Sequence, residues 1–201
     1  MDVVRLKRRM GALADQRSAG TATLPLSVTR PEIVSEGSDR DFRRLIHRML
    51  IGQARLASVR ESIAERIGVS GTQYTMLMSV LHLQGPAGVS ITTLADYLEV
   101  TGPHVTGVIG KLVGLGLVRK AVNPKDGRGV LVRLTPVGRK RLLAAFDFIA
   151  SVNDRLFEGV GREEYRVVGN FHAKFMRNAQ NTLDWIGRQP GGSGRPRTVE
   201  F

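Results

Sequence analysis

The sequence predicts a mainly α-helical (α+β) fold in which one small antiparallel hairpin follows two closely spaced helices. Three observations carry that reading. Within Ile91 to Thr135 the apolar period changes from 3.6 to 2 just after Gly116. A polar cluster, Asn123 to Gly129, separates two runs rich in β-branched residues. Stripes of apolar residues three and four apart run before Gly68 and again after Pro136. Two helices at helix-turn-helix spacing plus a basic hairpin make a winged helix-turn-helix, a module that reads DNA. A helix pair in some unrelated α+β core, with the hairpin as an appendage, is the alternative.

Taken in order, residues 1–37 are rich in Ser, Thr, Gly and Pro and predict a flexible N-terminal extension. Within it Val3, Val4, Leu6 and Met10 could support one short helix. A folded domain is expected over residues 38–186, with a DNA-binding core at 70–135. It opens at Ser38-Asp39 with a long helix to Ile67, striped by Phe42, Leu45, Ile46, Met49, Leu56, Val59 and Ile63. Ser70 with Gln73 fits a capping box for a second helix reaching Leu83, with Tyr74, Leu77, Met78 and Leu81 inward.

Thr92 is placed to cap the first helix of the module, whose apolar face is Leu94, Ala95 and Leu98. The turn falls at Glu99-Val100. Thr101 then caps the second helix, and Pro103 is tolerated in its first turn because no N–H partner is needed there. Val105, Val108, Ile109 and Leu112 face inward, which leaves Gly102, His104, Thr106, Gly107 and Lys111 outward. Strands at Leu117–Val122 and Val130–Leu134 follow, with Val89–Ile91 as a short third strand. Pro136 starts a helix running to about Glu158, striped by Leu142, Leu143, Phe146, Ile149, Val152 and Leu156. A last helix spans Arg162 to about Ile186, and residues 187–201 read as a flexible C-terminal tail.

Charge separates the readings. The net charge is +12, and residues 101–141 hold nine Lys or Arg against one Asp. A local excess on the second helix and hairpin is the footprint of phosphate binding rather than of a mixed, solvated surface. Lys111, Arg119, Lys120, Lys125 and Arg128 are therefore the candidate phosphate contacts. Thr101 serves as a cap and potentially as a contact, and His104 sits where a base or backbone contact is expected.

The same residues exclude much else. With no cysteine there is no disulfide, thiolate zinc site or thiol sensor. His47, His82, His104 and His172 lack paired ligand spacing, so no metal and no cofactor is expected. No catalytic triad or paired-carboxylate signature appears, and an enzyme is not expected. No stretch approaches the ~18 apolar residues of a membrane span, and a cytoplasmic, nucleoid-associated location in a bacterium follows as the expectation. The flanking helices carry apolar stripes with no partner inside so small a domain. A two-fold homodimer would cover them and address a pseudo-palindromic site on double-stranded DNA.

Across residues 39 to 186 the sequence resembles the MarR family of bacterial transcription regulators. The resemblance rests on LADYLEVTGPHVTGVIGKLVGLGLVRK, on Asp126-Gly127-Arg128 at the tip of the hairpin, and on LTPVG at Leu134 to Gly138. It implies terminal dimerisation helices, a helix beginning at Thr101 in the major groove and Arg128 in the minor groove, with Asp126 holding the wing loop. It also implies a repressor released by a small organic ligand, aromatic or acyl. A crevice between the first two helices and the fifth would hold that ligand, with His47, Tyr74, Met78 and Phe146 as candidate lining and core packing as the alternative role. One departure stands out: Gly102, Pro103, Gly107 and Gly110 leave only His104, Thr106 and Lys111 as long or polar readers on the recognition helix. The rival functions are an architectural DNA-binding protein without effector, and a small-molecule-binding or protein-interaction module.

Overall fold

The computed structural model describes residues 25–123 and 126–190, with backbone only at 126–128. Helix α1 spans Arg40–Ile67, α2 Gly71–Leu83, strand β1 Val89–Ser90, α3 Ile91–Leu98 and α4 Gly102–Gly114. The hairpin is β2, Val118–Asn123, and β3, Asp126–Leu134; α5 (Pro136–Ala144), α6 (Phe146–Leu156) and α7 (Arg162–Gly187) complete the chain. It divides into two compact units at Leu56/Ala57, and α1 contributes to both.

In the first unit, the backbone N–H of Ser27 (2.7 Å) and its hydroxyl both donate to the Asp39 carboxylate, which also pairs with Arg43. Asp39 is buried. The two Ser27 hydrogen bonds, helped by the Arg43 charge, hold its carboxyl below the usual range. That contribution to stability is present above the ordinary carboxylate range and is lost as pH falls through the depressed value. Residues 27–37, read from sequence as extension, are thus tied to the start of α1. Residues 1–24, with the short helix expected at Val3 to Met10, and residues 191–201 of the tail lie outside the described residues. In this unit the α1 stripe is only partly covered: Phe42, Ile46 and Met49 are half-buried, while Leu45 and Leu56 are exposed.

The second unit holds the hydrophobic core, built by Ile63, Ala64 and Ile67 at the end of α1 together with α2, α3, α4 and the sheet. Ser70 and Gln73 form the expected capping box (Gln73 N–H to Ser70 Oγ, 3.3 Å; Ser70 N–H to Gln73 Oε1, 2.9 Å). Helix α2 is buried on more sides than its sequence stripe implied. Met76 and Val80 lie in the core beside Leu77, while Tyr74, Met78 and Leu81 are only partly covered. Its neighbours explain this, because α3, α4 and β3 all pack against it.

Ser90, not Thr92, caps α3. Its extended backbone (φ −76°, ψ 156°) lets the hydroxyl accept from Thr93 N–H at 2.9 Å, so the helix starts at Ile91. The sheet order is β1-β3-β2, with Val89 opposite Val132 and Val118 opposite Leu134. Strand β3 begins at Asp126, so its ladder takes in residues assigned from sequence to the turn cluster.

The helix expected from Pro136 to Glu158 is two helices. Ala145, buried, donates to Leu142 O (2.9 Å) in an i to i−3 turn, and this tighter turn separates α5 from α6. No Gly or Pro marks the break. Leu142 and Ile149 reach the core, whereas Leu143, Phe146 and Leu156 are exposed. Helix α7 has no buried residue.

The LTPVG segment closes the hairpin. Thr135 Oγ donates to Gly116 O (2.7 Å) and accepts from Gly138 N–H (2.9 Å), while Thr135 N–H donates to Leu117 O (3.0 Å). Gly138 is required by contact: a Cβ there would sit 2.0 Å from Leu117 O. Gly138→Ala should therefore lower stability by about 2 kcal/mol, the usual cost of overpacking. Thermal unfolding would check it, and an unchanged midpoint would show that α5 can shift aside.

Candidate nucleic-acid interface

Helix α4 is presented by the turn after α3. Glu99 adopts the left-handed conformation (φ 54°) at the α3 C-cap, and Val100 N–H donates back to Ala95 O (3.0 Å). A non-glycine residue there is strained, which ties the turn closely to its surroundings. Thr101 then caps α4 by accepting from His104 N–H at 3.4 Å. Val105, Val108, Ile109 and Leu112 are buried, as their spacing predicts. The opposite face is left to solvent: Pro103, Thr106, Gly107, Gly110 and Lys111 are exposed, and Gly102 and His104 are partly so.

A cleft of about 390 Å³ runs along this face between the start of α2 and α4. Ser70, Thr72 and Gln73 line one side, and His104, Gly107 and Lys111 the other. Two helix N-termini open beside it, a polarity that favours anions. A side chain would meet nothing within 4 Å at Gly102, Gly107 or Gly110, so no neighbour in this chain demands these glycines.

The hairpin adds charge in a form that sequence alone did not reveal. Antiparallel register places Arg119 directly opposite Arg133. Alternation puts both on the face away from buried Val118 and Val132. Like charges directly opposed destabilise a sheet unless something anionic lies over them. Lys120, Arg139, Lys140 and Arg141 are exposed nearby in sequence, and among the described residues none of these cations is in an ion pair. Arg133 was not among the sequence candidates, because only the register brings it to Arg119. Lys125 lies outside the described residues, as do the side chains of Asp126 and Arg128.

The candidate ligand-pocket residues are placed as follows. In the first unit, His47 is exposed on α1. In the second, Tyr74 and Met78 pack partly buried against the core, and burial pushes the Tyr74 phenol up. Phe146 is 37% exposed. Neither the α2–α4 cleft nor a second one between α3 and α7 is lined by any of the four. Among the described residues no three His, Asp or Glu side chains gather as a metal site would need, and no helix is long and apolar enough to cross a membrane.

Residues 67–129 match the model of the MarR family. The match runs from the end of α1 into the start of β3 and so takes in most of the winged module. Solved MarR structures share its fold. The MarR transcriptional regulator from Methanosarcina mazei Go1 is 22% identical, with 68% of this chain aligned to 98% of that one at a TM-score of 0.55. A mutant MarR from E. coli complexed with operator DNA is 23% identical over 67% of this chain and 93% of its own, with a TM-score of 0.56. The S. aureus MepR–DNA complex is 19% identical over 67% and 96%, with a TM-score of 0.58. No curated protein matches the chain. At these identities the likeness is one of fold.

Gly110→Ala should stabilise α4 by roughly 0.5–1 kcal/mol, since a helical glycine costs about that much relative to alanine. A higher midpoint of thermal unfolding is expected. A lower one would mean that the space at Gly110 is already occupied.

Proposed function

We propose that the protein is a homodimeric, sequence-specific DNA-binding transcriptional regulator, a repressor that leaves its operator when a small organic ligand binds. The observation that carries the DNA reading is the exposed face of α4 beside a hairpin with unpaired, opposed arginines. In this reading α4 enters the major groove, where Thr106 and His104 meet base edges and Lys111 meets phosphate. Thr101, Gly102, Pro103 and Gly107 bring the helix start close to the backbone. Lys125 and Arg128, with Asp126 holding the loop, extend the contact through the wing. The DNA complexes of E. coli MarR and S. aureus MepR support this use of the fold. The functional domain is residues 38–186, with its DNA-binding core at 70–135.

The dimer reading rests on separate observations. In the first unit α1 exposes Leu45, Leu50 and Leu56; in the second α7 exposes Tyr165, Val168, Phe171, Phe175 and Leu183. Clustered exposed apolar side chains mark association sites, and a second copy related by a two-fold axis is the partner that covers them. Phe171→Asp should convert a dimer into a monomer in analytical ultracentrifugation while the far-ultraviolet circular dichroism stays helical. A wild-type chain that sediments as a monomer would sink the dimer.

Fluorescence anisotropy on a duplex from the gene's own upstream region, against a scrambled duplex, tests the DNA reading. Binding should prefer the upstream duplex and fall steeply with salt. Lys111→Ala and Arg119→Ala should each reduce the slope of log affinity against log salt by about 1, the signature of one lost phosphate contact. The glycine-rich face of α4 favours one second reading, a DNA-binding protein of architectural type with little sequence preference. Equal affinity for both duplexes would establish it, and no binding to either would sink the DNA reading altogether.

A further inference from the structure

The second cleft, of about 790 Å³, separates α3 from α7 and has no role in the DNA reading. Its size lies in the ~300–1,000 Å³ range of small-molecule sites. Asp96 and Glu99 line the α3 wall; Arg177 and Asn181 line the α7 wall. Among the described residues none of these three charged side chains has an ion-pair or hydrogen-bond partner. Val100 and Met176 give the cleft an apolar stretch between its polar ends.

We propose that this cleft binds a zwitterion with an apolar side chain, an apolar amino acid or dipeptide, and that this is the ligand to which the regulator responds. The ammonium pairs with Asp96 and Glu99, and the carboxylate with Arg177 and the Asn181 amide. The apolar side chain covers Val100 and Met176. These side chains are exposed, so the choice is one of charge complementarity: a simple cation would be attracted by one wall and repelled by Arg177 on the other, and a simple anion the reverse. Only a ligand carrying both charges satisfies both walls. The regulatory part rests on the DNA-binding reading: Glu99 is the left-handed cap of α3, and Thr101, two residues on, caps α4. A ligand held by Glu99 selects one arrangement of that turn and so of the recognition helix.

The test uses the full chain. Trp185, the single tryptophan, lies one helical turn beyond Asn181 on α7 and reports occupation by its fluorescence. L-Phenylalanine, L-leucine and L-leucyl-L-leucine are titrated by calorimetry and fluorescence without DNA. N-acetyl-L-phenylalanine lacks the ammonium and L-phenylalaninamide lacks the carboxylate, and they serve as blocked forms. At least one zwitterion should bind, and its blocked forms should bind about tenfold or more weakly, the loss expected for one missing charged contact. Arg177→Gln should weaken the zwitterion by a similar factor while sparing L-phenylalaninamide, and Asp96→Asn should spare N-acetyl-L-phenylalanine. Absence of heat and fluorescence change with all three zwitterions overturns the proposal, as does unchanged binding in Arg177→Gln. Anisotropy without ligand tests the DNA reading by itself. A chain that binds both DNA and zwitterion, with the zwitterion leaving DNA affinity unchanged, overturns the regulatory part alone.

Discussion

The carbonyl of Leu117 is where the winged module is held together. Thr135 N–H bonds to it, and the Thr135 hydroxyl spans from the Gly116 carbonyl to Gly138 N–H. The Gly138 backbone lies so close that any side chain would overlap it. One knot of backbone contacts thus joins the end of the recognition helix, the base of the hairpin and the first turn of α5. The C-terminal helices join the module through this knot and through Leu142 and Ile149, which reach its core. That explains why Thr, Pro and Gly stand in this order: a cap, a residue needing no N–H partner, and a position with no room for Cβ.

The recognition helix sits on this base with an unusual surface. Four buried aliphatic residues anchor its inner face, and its outer face carries glycines that no neighbour in the chain requires. Helix propensity argues against such glycines, so the helix is stabilised by its packing and by the Thr101 cap rather than by its own composition. Local preference and fold disagree most on the face turned outward, where function rather than folding is expected to set the residues. The opposed Arg119 and Arg133 fit the same pattern. Set directly opposite one another, they cost stability in the free chain.

Much of this was legible in the sequence because the signals were local. The Ser70–Gln73 capping box, Thr101 as cap, the inward face of α4 and the Pro136 start are set by residues within one helical turn of each other. What was not legible depended on partners distant in sequence or on competition between equivalent neighbours. Ser90 and Thr92 are both good caps, and the strand ending at Ser90 decides between them. The α5–α6 break at Ala145 carries no glycine or proline, so periodicity ran straight through it. Arg133 gained meaning only from the register that sets it against Arg119. The cleft between α3 and α7 joins residues about 80 positions apart, beyond any motif.

Helix α7 has two separate duties in this picture, and they constrain each other. Its large apolar side chains are exposed in the single chain, where the proposed dimer would cover them, while Arg177 and Asn181 line the cleft with α3. Held in a dimer as proposed, α7 could not follow α3 freely. In the proposed reading, a ligand gripping Glu99 and Arg177 together would fix the distance between the turn before α4 and the helix proposed for the dimer interface. Half-site spacing on DNA is a matter of that distance. The proposed coupling of ligand and operator would need no long communication path. The strained residue at Glu99 lies at both the wall of the cleft and the entrance to the recognition helix, and a shift there moves the two together.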